Sequence, residues 1–339
     1  MKKTLFTLLL SMTISLALVS VSHSGHGYHT TQLTDNDYLD FWPQINDNGY
    51  VVWMGDEKYN ASWEIFLYDG TSTTQLTDNA YWDGLPQIND NGYVVWYGYD
   101  GSDYEIFLYD GTSTTQITDN AYDDEDPQIN NNGYVVWYGY DGSDYEIFLY
   151  DGTSTTQLTD NAYEDKDPQI NNNGYVVWYG YDGSDYEIFL YDGTSTAQLT
   201  DNAYDDWGPQ INDNGYVVWQ GSDGSDTEIL LSNGTTTIQI TDNAYGDNSP
   251  QINDNGYVVW YGGYIYNISD DEIFLSSAPD VSGVIYLKGF PVAGRKGILK
   301  QRDEPKQTTI TDDDGYYEFP SIVSGKKFKV IIKGPKVPE

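Results

Sequence analysis

From Tyr50 to Leu275, apolar side chains arrive in short bursts, each closed by Asn, Asp, Gly or Ser. One stretch, beginning at Pro127, reads PQINNNGYVVWYGYDGSDYEIFLYDGTSTTQLTDN. It lacks the three- and four-residue apolar spacing of an amphipathic helix. Val, Trp, Tyr, Ile, Phe and Thr instead cluster in strand-length runs. The Asn-Gly and Asp-Gly pairs between them tolerate the positive φ of tight hairpins. Four strands are expected per stretch: PQIN, YVVWYGY, YEIFLY and TTQLT. Within YVVWY, Val94 and Trp96 point to one face while Tyr93, Val95 and Tyr97 point to the other. In EIFLY, Ile106 and Leu108 oppose Phe107 and Tyr109. Both faces of such a sheet are apolar, so both need cover.

The word PQIN begins at Pro43, Pro86, Pro127, Pro168, Pro209 and Pro250, at spacings of 43, 41, 41, 41 and 41. Six units at a fixed period near forty mean a repeat architecture. Four-stranded sheets covered on both faces stack around an axis as the blades of a β-propeller. The phase of the repeat adds a detail. TTQLTDN already stands at Thr30–Asn36, before the first PQIN, and is missing after the last EIFL at Glu272–Leu275. Pairing Thr30–Thr34 with Glu272–Leu275 would complete a sixth blade, close the ring and leave no free sheet edge.

The stretch ITDNAYDDEDPQINNNGYVVWYGYDGSDYEIFLYDG resembles the TolB-type propeller repeat, with Pro127, Gly133, Trp137, Glu146, Ile147 and Phe148 on matching places. The family's Ser-Pro-Asp-Gly turn is replaced by Asn-Asn-Asn-Gly, which keeps the turn chemistry. The resemblance runs from Thr30 to about Leu275 and implies a six-bladed propeller. The helical N-terminal domain of the Tol-system protein has no counterpart here. After Pro279 the text changes. Gly283, the Pro291–Gly294 turn, TDDDGYYEF at Thr311–Phe319 and Gly325 resemble a small transthyretin-like β-sandwich of the carboxypeptidase-regulatory or collagen-adhesin B type. The resemblance implies a spacer or adhesive module. The expected organisation is all-β: a leader over residues 1–24, a six-bladed propeller over 28–279 closed by its N-terminal strand, and a small sandwich over 280–336.

Charge sharpens this division. Of the formal net charge of −38, the propeller region carries 45 acids against two bases, Lys58 and Lys166, whereas the segment from Asp280 onward is slightly basic. So acidic a surface disfavours nucleic acid, since nothing there neutralises phosphates. There is no cysteine, which excludes disulfides, thiolate nucleophiles and Cys-type zinc sites. Lys2 and Lys3, an apolar run to Val21 and the small residues SVSHSG read as a secretory signal. An uncleaved anchor is the alternative, disfavoured because Thr7, Ser11, Thr13 and Ser15 interrupt the run. No other segment has the composition of a membrane-spanning helix. A secreted, periplasmic or cell-surface monomer is expected.

Candidate chemistry falls on one rim, which carries the joints between repeats and those between second and third strands. The joints between repeats are acidic and aromatic and differ most among units. They supply Trp42, Trp82, Asp83, Asp124, Glu125, Asp126, Glu164, Asp165, Asp206, Trp207 and Asp247 as candidate ligand-binding residues. The first and last units have longer second-to-third joints, whose Tyr59, Trp63, Tyr264 and Tyr266 would form an aromatic ridge at the seam. The remaining such joints read DGSDYE or DGSDTE. Asp100, Asp103, Asp141, Asp144, Asp182 and Asp185 offer oxygen ligands to calcium, although the EF-hand spacing is absent. No other cofactor is implied. The only histidines, His23, His26 and His29, lie beside the leader. Their position disfavours the histidine- and metal-dependent lyases built on similar propellers. No Gly-x-Ser-x-Gly motif is present. The leading expectation is a non-catalytic binding protein presenting an acidic, aromatic face to a protein or glycan. The alternatives are a carboxylate-dependent glycan-active enzyme and a structural propeller whose acidity serves solubility.

Overall fold

The computed structural model describes residues 30–56, 62–263 and 272–276, and short strands between 281 and 333. The leader, Tyr59, Tyr264 and Tyr266 lie outside the described residues, as do the connections of the C-terminal segment. Between Asp40 and Gln239 the chain forms five four-stranded antiparallel sheets, each with its strands in sequence order. A three-stranded sheet follows over Gly246–Ser276. Beyond it, Val281–Val284 pairs with Tyr316–Phe319, Tyr286–Leu287 with Phe290–Pro291, and Lys296–Gln301 with both Gln307–Ile310 and Phe328–Lys333.

The two apolar faces read from the alternation are the faces that meet between sheets. Val95 and Ile106 of one sheet pack against Val135 and Trp137 of the next, with Leu108, Phe148 and Tyr150 around them. The same arrangement recurs with Val136 and Ile147 against Val176 and Trp178, and with Val177 and Ile188 against Val217 and Trp219. In every sheet but the fifth, where Leu230 stands opposite Trp219, the indole lies nearly parallel to the adjacent phenylalanine ring, as in Trp137–Phe148 at 5.8 Å and 13°. The interior is thus a series of near-identical interfaces rather than one central core.

The first strand of each repeat is longer than PQIN. It starts three residues earlier, as in Asp124–Ile129, or four in the sixth repeat, and carries a bulge immediately before and at the proline. The residue before each proline has positive φ, between 48° and 58°: Trp42, Leu85, Asp126, Asp167, Gly208 and Ser249. A bulge explains how proline sits within a paired strand, because that position owes the ladder no N–H.

The asparagine of PQIN organises both the turn after it and the junction to the next sheet. Asn130 Oδ1 accepts the backbone N–H of Asn132 (2.9 Å) and of Tyr134 (3.0 Å), while its Nδ2 donates to the carbonyl of Asn171 at 3.0 Å. Asn46, Asn89, Asn171 and Asn212 make the same link to the following repeat, at 2.9–3.0 Å. The six Ile-Asn pairs from Ile45 to Asn253 surround one cavity of ≈ 360 Å³, so the sheets are arrayed about a common axis.

The end sheets differ from the inner ones. Thr30–Thr34 form no strand, and Glu272–Ser276 is the last strand of its sheet. Among the described residues no strand pairing joins the last sheet to the first. The apolar positions that would face a neighbour there are open, with Ile45 70% and Ile273 75% exposed. Asn36, the last residue of the opening word, nonetheless donates its Nδ2 to Asp40 at 3.2 Å, as its counterparts do in later repeats.

Asn130→Ala removes one buried and two part-buried hydrogen bonds and is expected to destabilise the chain by about 2–4 kcal/mol, against less than about 1 kcal/mol for Asn132→Ala. Asn132 makes one exposed side-chain bond to the next repeat. Urea unfolding of both variants measures the difference.

Candidate functional site

The joints between repeats are built around a buried carboxylate. Asp124, at the start of its strand, accepts the Trp137 indole N–H on Oδ1 at 2.8 Å and the Asn120 amide on Oδ2 at 2.6 Å. Asp83, Asp165, Asp206 and Asp247 have the same pair of donors. All five are 1–3% exposed. These five candidate residues therefore face inward, with both oxygens engaged, and hold one repeat to the next. The glycine two residues after each tryptophan makes room for them, since a Cβ on Gly139 would overlap Asp124 Oδ1.

A second buried carboxylate, not singled out from sequence, stands beside the first. Glu105, Glu146, Glu187 and Glu228 open the EIFL or EILL runs and are 0% exposed. Each uses Oε1 to accept the backbone N–H of the asparagine in its TDN word, at 2.7–2.9 Å. The threonine of that word caps the same strand: Thr118 Oγ1 accepts the Ile106 N–H at 2.8 Å. The word LTDN is thus a clasp between two sheets. The signal was available as an acid invariably placed at the start of an apolar strand.

The remaining candidates stand nearer solvent. Asp126 and Asp167 occupy the positive-φ bulges. Glu125 accepts the Tyr138 hydroxyl at 2.9 Å. Glu164 binds Lys166 at 2.8 Å, and the same ammonium lies 4.4 Å from the Tyr145 ring centre. Trp82 packs on Tyr97 and Tyr104, Trp63 on Phe41, and Trp42 is exposed. Tyr81, Tyr122, Tyr163 and Tyr204 stand 42–45% exposed along this rim, the first three edge-on to Tyr99, Tyr140 and Tyr181. Between the fourth and sixth repeats, Asp167, Tyr179, Trp207, Gln210, Gln220 and Gln251 line a cavity of ≈ 450 Å³. Burial raises Asp126, whose neighbour Asp167 adds repulsion, and burial raises Asp167 too.

The loops with calcium-type ligands are locally ordered. Asp100 Oδ1 accepts the Ser102 N–H at 2.8 Å and the Ser102 hydroxyl at 2.7 Å, and those bonds hold its carboxyl below the usual range. Asp141 and Asp182 repeat this. One carboxylate oxygen each from Asp100, Asp103 and Glu105 lie within 4.8 Å of one another, and the next two repeats match with Asp141, Asp144 and Glu146 and with Asp182, Asp185 and Glu187.

Burial pushes Asp124 up to about 6 and Glu105, Glu146 and Glu187 up to about 7, with repulsion from the neighbouring carboxylate adding to the glutamate shifts. These groups bind protons more tightly in the folded chain than in the unfolded one. Their neutral forms favour folding at low pH, and that advantage is lost as pH rises towards the folded values. With a chelator present, the urea midpoint is expected to fall as pH is raised from about 5 to about 8, and Glu146→Gln is expected to flatten part of that slope.

No protein-family model matches the chain, and no curated protein matches it. Among solved structures, the β-propeller domain of the Trilobed protease from Pyrococcus furiosus, described as having an open velcro topology, matches with a TM-score of 0.55 at 12% identity, over 70% of this chain and 81% of that one. A puromycin-hydrolyzing peptidase from Mycobacterium tuberculosis matches with a TM-score of 0.54 at 11% identity, over 83% of this chain and 53% of that one. The chain thus spans about half the length of that peptidase. TolB from Acinetobacter baumannii gives a TM-score of 0.45 at 15% identity, over 63% of this chain and 57% of that one, a likeness too loose to build on. Likeness at such identity speaks to fold alone: this is an all-β chain of repeated antiparallel sheets arranged like those of known β-propeller domains.

Proposed function

We propose that the chain is an exported, non-catalytic binding protein, and that its acidic, aromatic rim takes a glycan or protein ligand. The observation that carries this reading is the rim cavity between the fourth and sixth repeats. It combines an indole and a phenol, Trp207 and Tyr179, with the carboxylate of Asp167 and three side-chain amides. Aromatic faces that stack on an apolar ring face, beside acceptors and donors for hydroxyl groups, suit a sugar. The flanking exposed tyrosines extend the surface for a longer chain. The proposed organisation is a leader cleaved near residue 24, a six-bladed ring completed by Thr30–Thr34, and a C-terminal β-sandwich over 280–336 acting as a spacer. The phase of the repeat supports closure, as does the bond from Asn36 to Asp40.

A second reading, a carboxylate-dependent glycan-active enzyme, draws support from Asp126 and Asp167. These are two acids on adjacent repeats, both raised by burial, at the same mouth.

A glycan and protein array probed with residues 28–339 is expected to return a defined ligand set, with Trp207→Ala and Asp167→Asn each weakening binding about tenfold or more. Turnover of a bound glycan that Asp167→Asn abolishes would transfer the assignment to the enzyme reading. Absence of any ligand would leave the acidic surface as a solubility device.

Deleting residues 27–36 is expected to lower the melting temperature and cause self-association, since it removes the strand proposed to cover Ile273 and Leu275. A monomer with unchanged melting temperature would mean that the ring is not closed by this segment.

A further inference from the structure

The buried glutamates leave a polar atom unaccounted for. In Glu105, Glu146, Glu187 and Glu228, Oε1 is bonded, but Oε2 is buried and has no hydrogen-bond partner. A buried carboxylate oxygen without a donor is costly, and here the cost recurs in four consecutive repeats. Each of these glutamates belongs to a group of three acids. In the first, Glu105 shares with Asp100 and Asp103 a space in which one oxygen from each lies within 4.8 Å of the others, and the fourth repeats this with Asp223, Asp226 and Glu228. The aspartates sit on the loop above, and the glutamate closes the group from below.

We propose that each of these four joints binds a calcium ion, held by the two loop aspartates and by the buried glutamate beneath them.

The geometry fits a large hard cation. Oxygens that share one calcium at about 2.4 Å stand at most about 4.8 Å apart, a limit that these groups meet, and calcium tolerates irregular oxygen shells better than magnesium. The donors are all oxygens, and none of these groups contains a histidine or cysteine to select zinc. Charge argues the same way, because three carboxylates converge where the described residues bring no lysine or arginine to the group. The serine between the aspartates does not relieve this. The single Ser102 hydroxyl lies 2.7 Å from Asp100 Oδ1 and 2.9 Å from Asp103 Oδ1, and one O–H can donate to only one of them. A bound cation would satisfy the buried oxygen, neutralise the loop and fix the second-to-third strand joint. The competing arrangement is a proton on the glutamate shared with the carboxylate beside it, such as Asp124 next to Glu105.

The test is calcium titration of the full chain by isothermal calorimetry at fixed ionic strength, with magnesium in parallel. The expected result is about four saturable sites with dissociation constants of about 10⁻⁴ to 10⁻³ M, the range of extracellular calcium modules. The melting temperature should rise with calcium beyond the effect of sodium chloride at matched ionic strength. Glu146→Gln keeps the volume and the acceptor for the Asn161 N–H but cannot supply a second anionic oxygen, and is expected to reduce the count from four to three. Asp144→Asn, on the exposed loop, should do the same and serves if the glutamate variant fails to fold. No saturable binding at 10 mM (about tenfold above the weakest expected constant), identical calcium and magnesium isotherms, or a count unchanged by Asp144→Asn would each overturn the proposal. None of these outcomes bears on the rim cavity, which shares no residue with the sites.

Discussion

The indole N–H of each repeat's tryptophan, donated to the aspartate that opens the same sheet, is the bond around which the rest of the repeat is arranged. It fixes the tryptophan in the interface between sheets, where Val135 and Trp137 receive Val95 and Ile106 of the preceding repeat. It requires a glycine two residues along the strand, because Asp124 occupies the space a side chain would take. It also leaves the second oxygen of the aspartate to the asparagine of the preceding TDN word. That asparagine in turn gives its own N–H to the buried glutamate. One polar contact thereby couples a sheet's core, its inner edge and its junction to the sheet before it. The low dielectric around it makes each bond count for more than it would in water.

Much of the fold was legible because near-identical repeats make period and alternation unambiguous. The opposed faces of Val94 and Val95 became the two sides of the sheet interfaces, as the pleat demands. The site was less legible. In DDED at Asp123–Asp126, four adjacent acids look equivalent. Only the strand start and the bulge decide that Asp124 turns inward, Glu125 meets a tyrosine and Asp126 takes a left-handed backbone. Likewise Glu105 reads as an ordinary polar residue at a strand end until the TDN word is seen to fold over it. The seam differs for another reason. The proposed pairing of Thr30–Thr34 with Glu272–Leu275 joins segments far apart in sequence, and no local pattern in either segment enforces it.

The acidity of the chain includes two groups with opposite chemistry. Acids in the Asp-Gly turns accept several local donors and are held ionised: Asp69, exposed at its turn, is lowered to about 2 by bonds from Thr71 and Ser72. Acids at the clasps are removed from water and hold protons near neutrality. A formal count of −38 therefore overstates the charge that the folded chain carries near neutral pH.

The amide links from Asn46 through Asn212 run in one direction, each inner repeat giving one donor forward and receiving one from behind. Such a junction is indifferent to how many units stand on either side of it. Recombination between the nearly identical coding segments would add or remove whole repeats of 41 residues while every surviving junction kept its bonds. In the proposed closed ring, the circumference, rather than any interface within it, would then select a permitted number of copies. The gene is free to grow or shrink in modular steps, and the fold acts as the gauge that accepts or rejects the result.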